Sequence, residues 1–147
     1  MGDLKTLFEG LGFENISTHL QSGNVLFEAK RTSQNKLVDQ IEKVLPGNTR
    51  AIVRSASELA ELVGHDPFTP KHSDVKRRFV TLLREPADGL LRLKPSTEIV
   101  LRTEQEVCCY ITSMPGRFEY PNIEGQLKVA ATRGWGVVQR IAALCEQ

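Results

Sequence analysis

Ile16-Ser17-Thr18-His19-Leu20-Gln21-Ser22-Gly23-Asn24-Val25-Leu26-Phe27 is the stretch on which the reading of the fold turns. Ile16, Thr18 and Leu20 alternate with Ser17, His19 and Gln21, the period of two expected of a half-buried strand. Ser22-Gly23 interrupts the alternation as a turn or bulge, and Val25-Leu26-Phe27 resumes extended character. On one side, Leu4, Leu7, Phe8 and Leu11 share a face at helical spacing, with Asp3 placed to cap that helix and Gly12 to end it. On the other, Leu37, Val38, Ile41, Val44 and Leu45 carry a second helix that Pro46-Gly47 stops. Helix, strand, strand, helix within so short a span indicates an α+β protein.

Farther along, Ala51-Ile52-Val53 reads as a short strand, and Ser55 with Glu58 has capping-box spacing for a third helix containing Leu59, Leu62 and Val63. The segment from Gly64 to Lys76 holds two prolines and much polarity, which marks it as a hinge. A strand from Arg78 to Arg84, a helical piece around Leu90, and strands at Ile99 to Leu101 and Val107 to Ile111 follow. Helices near Ile123 to Leu127 and Val137 to Leu144 close the chain, the last starting after Gly136. The expected organisation is one α+β domain over residues 1–147, with related halves at 1–68 and 76–147 joined by the polar, proline-containing hinge.

A chain of 147 residues is long enough for a proper core, and 40% hydrophobic with 25% charged residues is ordinary for a soluble globular protein. A net charge of +1 argues against strong non-specific attraction to nucleic acid or to an anionic membrane. No apolar run approaches the roughly 20 residues that cross a bilayer. Cys108 and Cys109 are adjacent in a strand pattern and should face opposite ways, while Cys145 lies near the end; without CxxC spacing they form neither a zinc site nor a disulfide framework. Reduced, core-packed cysteines imply a cytoplasmic location.

Leu11-Gly12-Phe13, Gln21-Ser22-Gly23-Asn24-Val25, Ile52-Val53-Arg54, Asp66-Pro67-Phe68, Phe79-Val80, Pro121-Asn122-Ile123-Glu124 and Ala131-Thr132-Arg133 with Trp135 together resemble the bacterial family known as domain of unknown function 1697. The resemblance implies an α+β fold of two ferredoxin-like halves, each an antiparallel or mixed sheet with helices on one face, and it implies no activity. Members usually open with a strand and loop reading approximately Ala-Leu-Leu-Arg-Gly-Ile-Asn-Val-Gly-Gly, and nothing in this chain matches it. The first half is therefore expected to lack its first, central strand, which would deprive two neighbours of hydrogen-bond partners. Either the chain is a shortened version of a longer product, or a partner strand fills the gap. The family also usually reads Arg-Asn-Trp-Asn-Thr-Val where this chain has Arg133-Gly134-Trp135-Gly136-Val137, so two amides and a hydroxyl are replaced.

Gln21, Ser22, Asn24, Asn122, Arg133 and Trp135 form the candidate ligand-binding set: amides, a hydroxyl, a guanidinium and an indole suited to a planar or anionic small molecule. The same residues also suit turns and a loop over the core. The basic run Lys71-His72 and Lys76-Arg77-Arg78 reads as a solvated hinge, and the histidines as exposed loop residues. No catalytic residue, metal ligand or cofactor is assigned. GxxxxGK[ST], GxGxxG, HExxH and DxDxDG motifs are absent, which argues against nucleotide hydrolysis, dinucleotide redox chemistry and zinc proteolysis by those devices. The leading expectation is a module that binds a small ligand or a partner. The alternatives are an enzyme acting on a small anionic or planar substrate, and a sheet-edge interaction module that forms homo-oligomers through its incomplete sheet.

Overall fold

The computed structural model describes residues 2–19, 23–86, 89–112, 121, 123–127 and 129–145, with side chains from Leu4 onward. It is an α+β protein with two antiparallel sheets, one of two strands and one of four. The chain divides into two compact units, Met1–Arg54 and Ser55–Gln147. That boundary lies upstream of the Gly64 to Lys76 segment expected as the hinge. The reason is that α3 (Ala56–His65) buries Leu62, and the turn after it buries Phe68, in a cluster with Val80, Cys108 and Trp135. The segment is thus part of the second unit's packing.

In the first unit, α1 (Gly2–Gly10) leads through Gly12, at φ +86°, into β1 (Glu14–His19). The left-handed backbone at Gly12 is the conformation that ends a helix cheaply only with glycine. β1 pairs antiparallel with β2 (Asn24–Glu28), with an irregularity between Glu14 and Ser17 that accompanies Asn15 at φ 51°. α2 (Gln34–Val44) follows; Ser33 caps it by accepting from the Lys36 amide. Phe8, Phe13 and Ile41 form the buried centre, and Ile16, Val25, Phe27, Ala51 and Val53 pack around it. The three phenylalanines lock together, with Phe13 and Phe27 stacked at 4.6 Å and Phe8 edge-on to both. Ala51-Ile52-Val53 belongs to no strand, against expectation. Its composition suits a strand, but a strand needs a neighbour, and none stands beside it among the described residues.

The second unit holds β3 (Arg78–Leu83), β4 (Thr97–Arg102), β5 (Glu106–Ile111), β6 (Ala130–Gly134) and α4 (Trp135–Cys145). The strand order is β4-β5-β3-β6, all neighbours antiparallel. Numbered within the unit this is second, third, first, fourth, the order of a ferredoxin-like half. α3 and α4 pack on each other and on one face. The helices enter from the ends of the strand set, α3 before β3 and α4 after β6.

Both faces of the central strands are buried, which explains why Phe79-Val80-Thr81-Leu82-Leu83 and Val107-Cys108-Cys109-Tyr110-Ile111 read as nearly continuous apolar runs. Val80, Cys108 and Tyr110 face the helices, while Phe79, Leu83, Val107, Cys109 and Ile111 face Ile123, Leu91 and Leu127. Cys108 and Cys109 do point to opposite faces. A short 3-10 turn at Glu124–Gln126 replaces the helix expected near Ile123 to Leu127. It is tied to the opposite loop by the Gln126 side chain, which accepts from the Arg92 amide and donates to the Arg92 carbonyl, both at 2.7 Å. Residues 89–96 contain no helix, against the piece expected around Leu90. Leu90 is 99% exposed and Gly89 sits at φ +87°, so no apolar face exists to support a turn of helix there.

Candidate functional site

Six residues were expected to meet. Gln21, Ser22 and Asn122 lie outside the described residues. Asn24 begins β2, and its amide nitrogen donates to the His19 carbonyl at 3.3 Å, closing the β1–β2 hairpin. Beside it the Ser17 hydroxyl and His19 Nε2 are 2.9 Å apart. Asn24 therefore has a local backbone duty of the kind asparagine performs in turns.

Arg133 and Trp135 belong to the second unit, at the junction of β6 with α4. The expected loop is a strand end followed directly by helix. Arg133 is paired in register with Val80, and its guanidinium donates to the Thr132 carbonyl at 2.9 Å. Trp135 starts α4, with Gly136 inside the helix, so the helix begins two residues earlier than the sequence suggests. Burial accounts for the difference: the indole is fully enclosed among Leu62, Phe68, Val80, Cys108 and Val138, and this packing outweighs the propensity cost of one glycine, about 1 kcal/mol. Phe68 meets the indole edge-on at 5.1 Å. The indole N–H has no hydrogen-bond partner among the described residues, and the enclosed ring presents no open face for stacking.

His72 was expected to be an exposed loop residue, yet it is 7% exposed. Its ring lies tilted on Tyr110 at 4.9 Å and edge-on to Phe68 at 5.9 Å. Nδ1 accepts from the Thr69 amide at 3.0 Å, and Nε2 is 2.8 Å from Glu98 Oε2 on β4. Arg78 donates to the His72 carbonyl at 2.6 Å and lies over the Phe68 ring. Sequence reasoning missed this cluster. The Thr69-to-His72 spacing was legible as a tight turn, but Glu98 is 26 residues away and nothing local announces it.

One concavity of about 630 Å³ in the second unit is walled by Glu58, Glu61 and His65 of α3 and by Leu101, Glu104 and Glu106 around the β4–β5 hairpin. Two of its carboxylates serve the local structure: Glu58 completes the capping box with Ser55 and accepts from Gln105, and Glu106 accepts from the Thr103 hydroxyl. Among the described residues no group of three His, Cys, Asp or Glu side chains is placed to hold a metal ion. The thiols of Cys108 and Cys109 are pushed up to about 12, first by burial and, for Cys108, also by Glu106. Thiols so far from ionising are packing groups, not nucleophiles. No helix among the described residues is long and apolar enough to cross a membrane.

The family described as Protein of unknown function (DUF1697) matches residues 1–108, which takes in the whole first unit and the second as far as Cys108 in β5. The Pro121 and Trp135 motifs lie beyond the matched residues. No curated protein and no solved structure matches the chain. Matched over residues 1–108 of its 147, the chain belongs to the DUF1697 family of proteins of unknown function.

Proposed function

We propose that the protein is a partner-binding module whose first unit completes its sheet with an extended strand from a partner. The observation that carries this reading is the pairing of two half-buried apolar segments on one core. Val25 and Phe27 of β2, and Ala51 and Val53, all pack against Phe8, Phe13 and Ile41, yet only β1 and β2 form a ladder among the described residues of this unit. α2 connects β2 to the 51–53 segment, a crossover that sets two strands parallel. A strand added between them would run antiparallel to both and supply each with ladder bonds, worth about 0.5–1.5 kcal/mol apiece. An occupant with alternating apolar residues would also shield Val25, Phe27 and Val53 from water.

The small-ligand reading through Gln21, Ser22, Asn24, Asn122, Arg133 and Trp135 draws less support, since Asn24 serves its hairpin and Trp135 is core. The enzyme reading needs a perturbed acid or base in a cleft. The thiols of Cys108 and Cys109 do not meet that need.

The test is calorimetric titration with a synthetic peptide, Ala-Leu-Leu-Arg-Gly-Ile-Asn-Val, followed by amide chemical shifts. Saturable binding in the micromolar range, about −8 kcal/mol, is expected, with shifts concentrated in β2 and residues 51–53. Arg133→Ala should leave that affinity unchanged. A scrambled peptide that binds equally well, or shifts confined to the second unit, would sink the proposal. Concentration-dependent self-association with the same shifts would identify a second copy as the strand donor.

A further inference from the structure

We infer that His72 is the trigger of a pH-sensitive latch, which closes the Thr69–His72 turn while the ring is neutral and opens it when the ring is protonated. The tautomer follows from the contacts. The Thr69 backbone N–H can only donate, so Nδ1 at 3.0 Å must carry a lone pair. The ring proton therefore sits on Nε2 and is donated to Glu98 at 2.8 Å. The turn is closed a second time by the His72 amide, which donates to the Thr69 carbonyl at 2.8 Å.

Protonation puts a second N–H on Nδ1, pointing at the N–H of Thr69. Two donors cannot share a bond. The Thr69 hydroxyl, 3.2 Å away, can rotate to accept from the imidazolium, but the Thr69 amide then has no acceptor and must turn to water. Thr69 is exposed, so water is at hand. The ring itself cannot drift, because Tyr110, Phe68 and the Arg78 contact to its carbonyl hold it. The change is thereby confined to the turn.

The charged and titratable groups facing this ring come from every element packed on it. Glu98 on β4 lies 2.8 Å from Nε2, and its side chain is about half exposed. Arg78 on β3 donates to the His72 carbonyl, and the Tyr110 hydroxyl oxygen on β5 accepts from the Asp74 amide at 3.3 Å. Asp74 on the same segment is engaged by the Lys76 amide and by Arg77. Glu98 is thus the carboxylate in contact with the ring, and Thr69 is where opening is read.

The experiment measures the Thr69 amide protection factor and the His72 ring-proton shift by magnetic resonance between pH 8 and pH 5. Protection, corrected for intrinsic exchange, should fall about tenfold or more as the ring titrates. His72→Asn offers an amide oxygen near the Nδ1 position and cannot be protonated in this range, so its Thr69 protection should not vary. Glu98→Gln keeps an acceptor for Nε2 and leaves the Thr69 bond to Nδ1 in place, so its Thr69 protection should still fall with the ring-proton shift. Constant Thr69 protection while the ring titrates, a ring that stays neutral to pH 5, or a transition that survives in His72→Asn would each overturn the latch. Should His72→Asn not fold, the parent and Glu98→Gln decide between them: Thr69 protection that does not follow the ring-proton shift in both overturns the latch.

Discussion

Replacing Trp135 tests whether the indole is core or ligand platform, because alanine and phenylalanine separate the two roles. The ring is fully buried, and an aromatic side chain of this kind removes about 150–250 Å² from water. At about 25 cal/mol per Å² this is worth roughly 4–6 kcal/mol, of which alanine would retain little. Partial collapse of the site brings the expected cost of Trp135→Ala to about 3–5 kcal/mol. Trp135→Phe loses about a quarter of the area, about 1–1.5 kcal/mol. It also removes an N–H that has no partner among the described residues, and relief of such a group is worth about 1–3 kcal/mol. The two contributions oppose each other, so Trp135→Phe should lie within about 1 kcal/mol of the parent. Urea unfolding followed by far-ultraviolet circular dichroism measures both, with hydrogen exchange of β3 amides assigning the transition to the second unit. A cost below about 1 kcal/mol for Trp135→Ala, or equal costs for the two variants, would refute the core assignment.

Three further outcomes concern the second unit. Thr81 and Thr132 stand opposite each other on β3 and β6, their hydroxyls 2.8 Å apart, and Thr81 is fully buried. Thr81→Val should cost about 1–3 kcal/mol by orphaning the Thr132 hydroxyl, and adding Thr132→Val should recover part of it; strictly additive costs in chemical denaturation would contradict this coupling. The thiols of Cys108 and Cys109 ionise only near pH 12 in the native state, against the ordinary 9.0 when unfolded. Between those values the unfolded chain binds fewer protons, so stability falls as pH rises from 9 toward 12, by up to about 1.4 kcal/mol per unit for each thiol, and is unaffected by them below 9. At pH 8 iodoacetamide should label the half-buried Cys145 well before either; equal rates would contradict the burial.

Much of this was readable in the chain. α1, α2 and α3 came from apolar residues at helical spacing, and the Ser55–Glu58 capping box forms as its spacing suggests. β1 came from alternation, β2 from the extended character of Val25 to Phe27, and β3 and β5 from apolar strand patterns. Those signals are local, because a helix face or a strand pleat repeats within a few residues. β6 was missed. Ala130–Gly134 is short and half-buried, and its ladder partner β3 lies some 50 residues upstream, so only the register with Phe79 to Leu83 makes it a strand. The converse error fell on Ala51-Ile52-Val53, whose β-branched composition suited a strand that found no neighbour among the described residues.

The candidate site divides along the same line. Sequence by itself determined that Cys108 and Cys109 oppose each other across a strand and that the chain is α+β, since these depend on residue type and nearest spacing. Only the tertiary structure decided that Trp135 is core, that His72 is buried between Phe68 and Tyr110 with Glu98 on Nε2, and that β2 and residues 51–53 share one core without sharing a ladder. The physical reason is that burial and pairing are properties of two segments at once. A chain declares what each segment can offer, and only folding selects which partner takes it up.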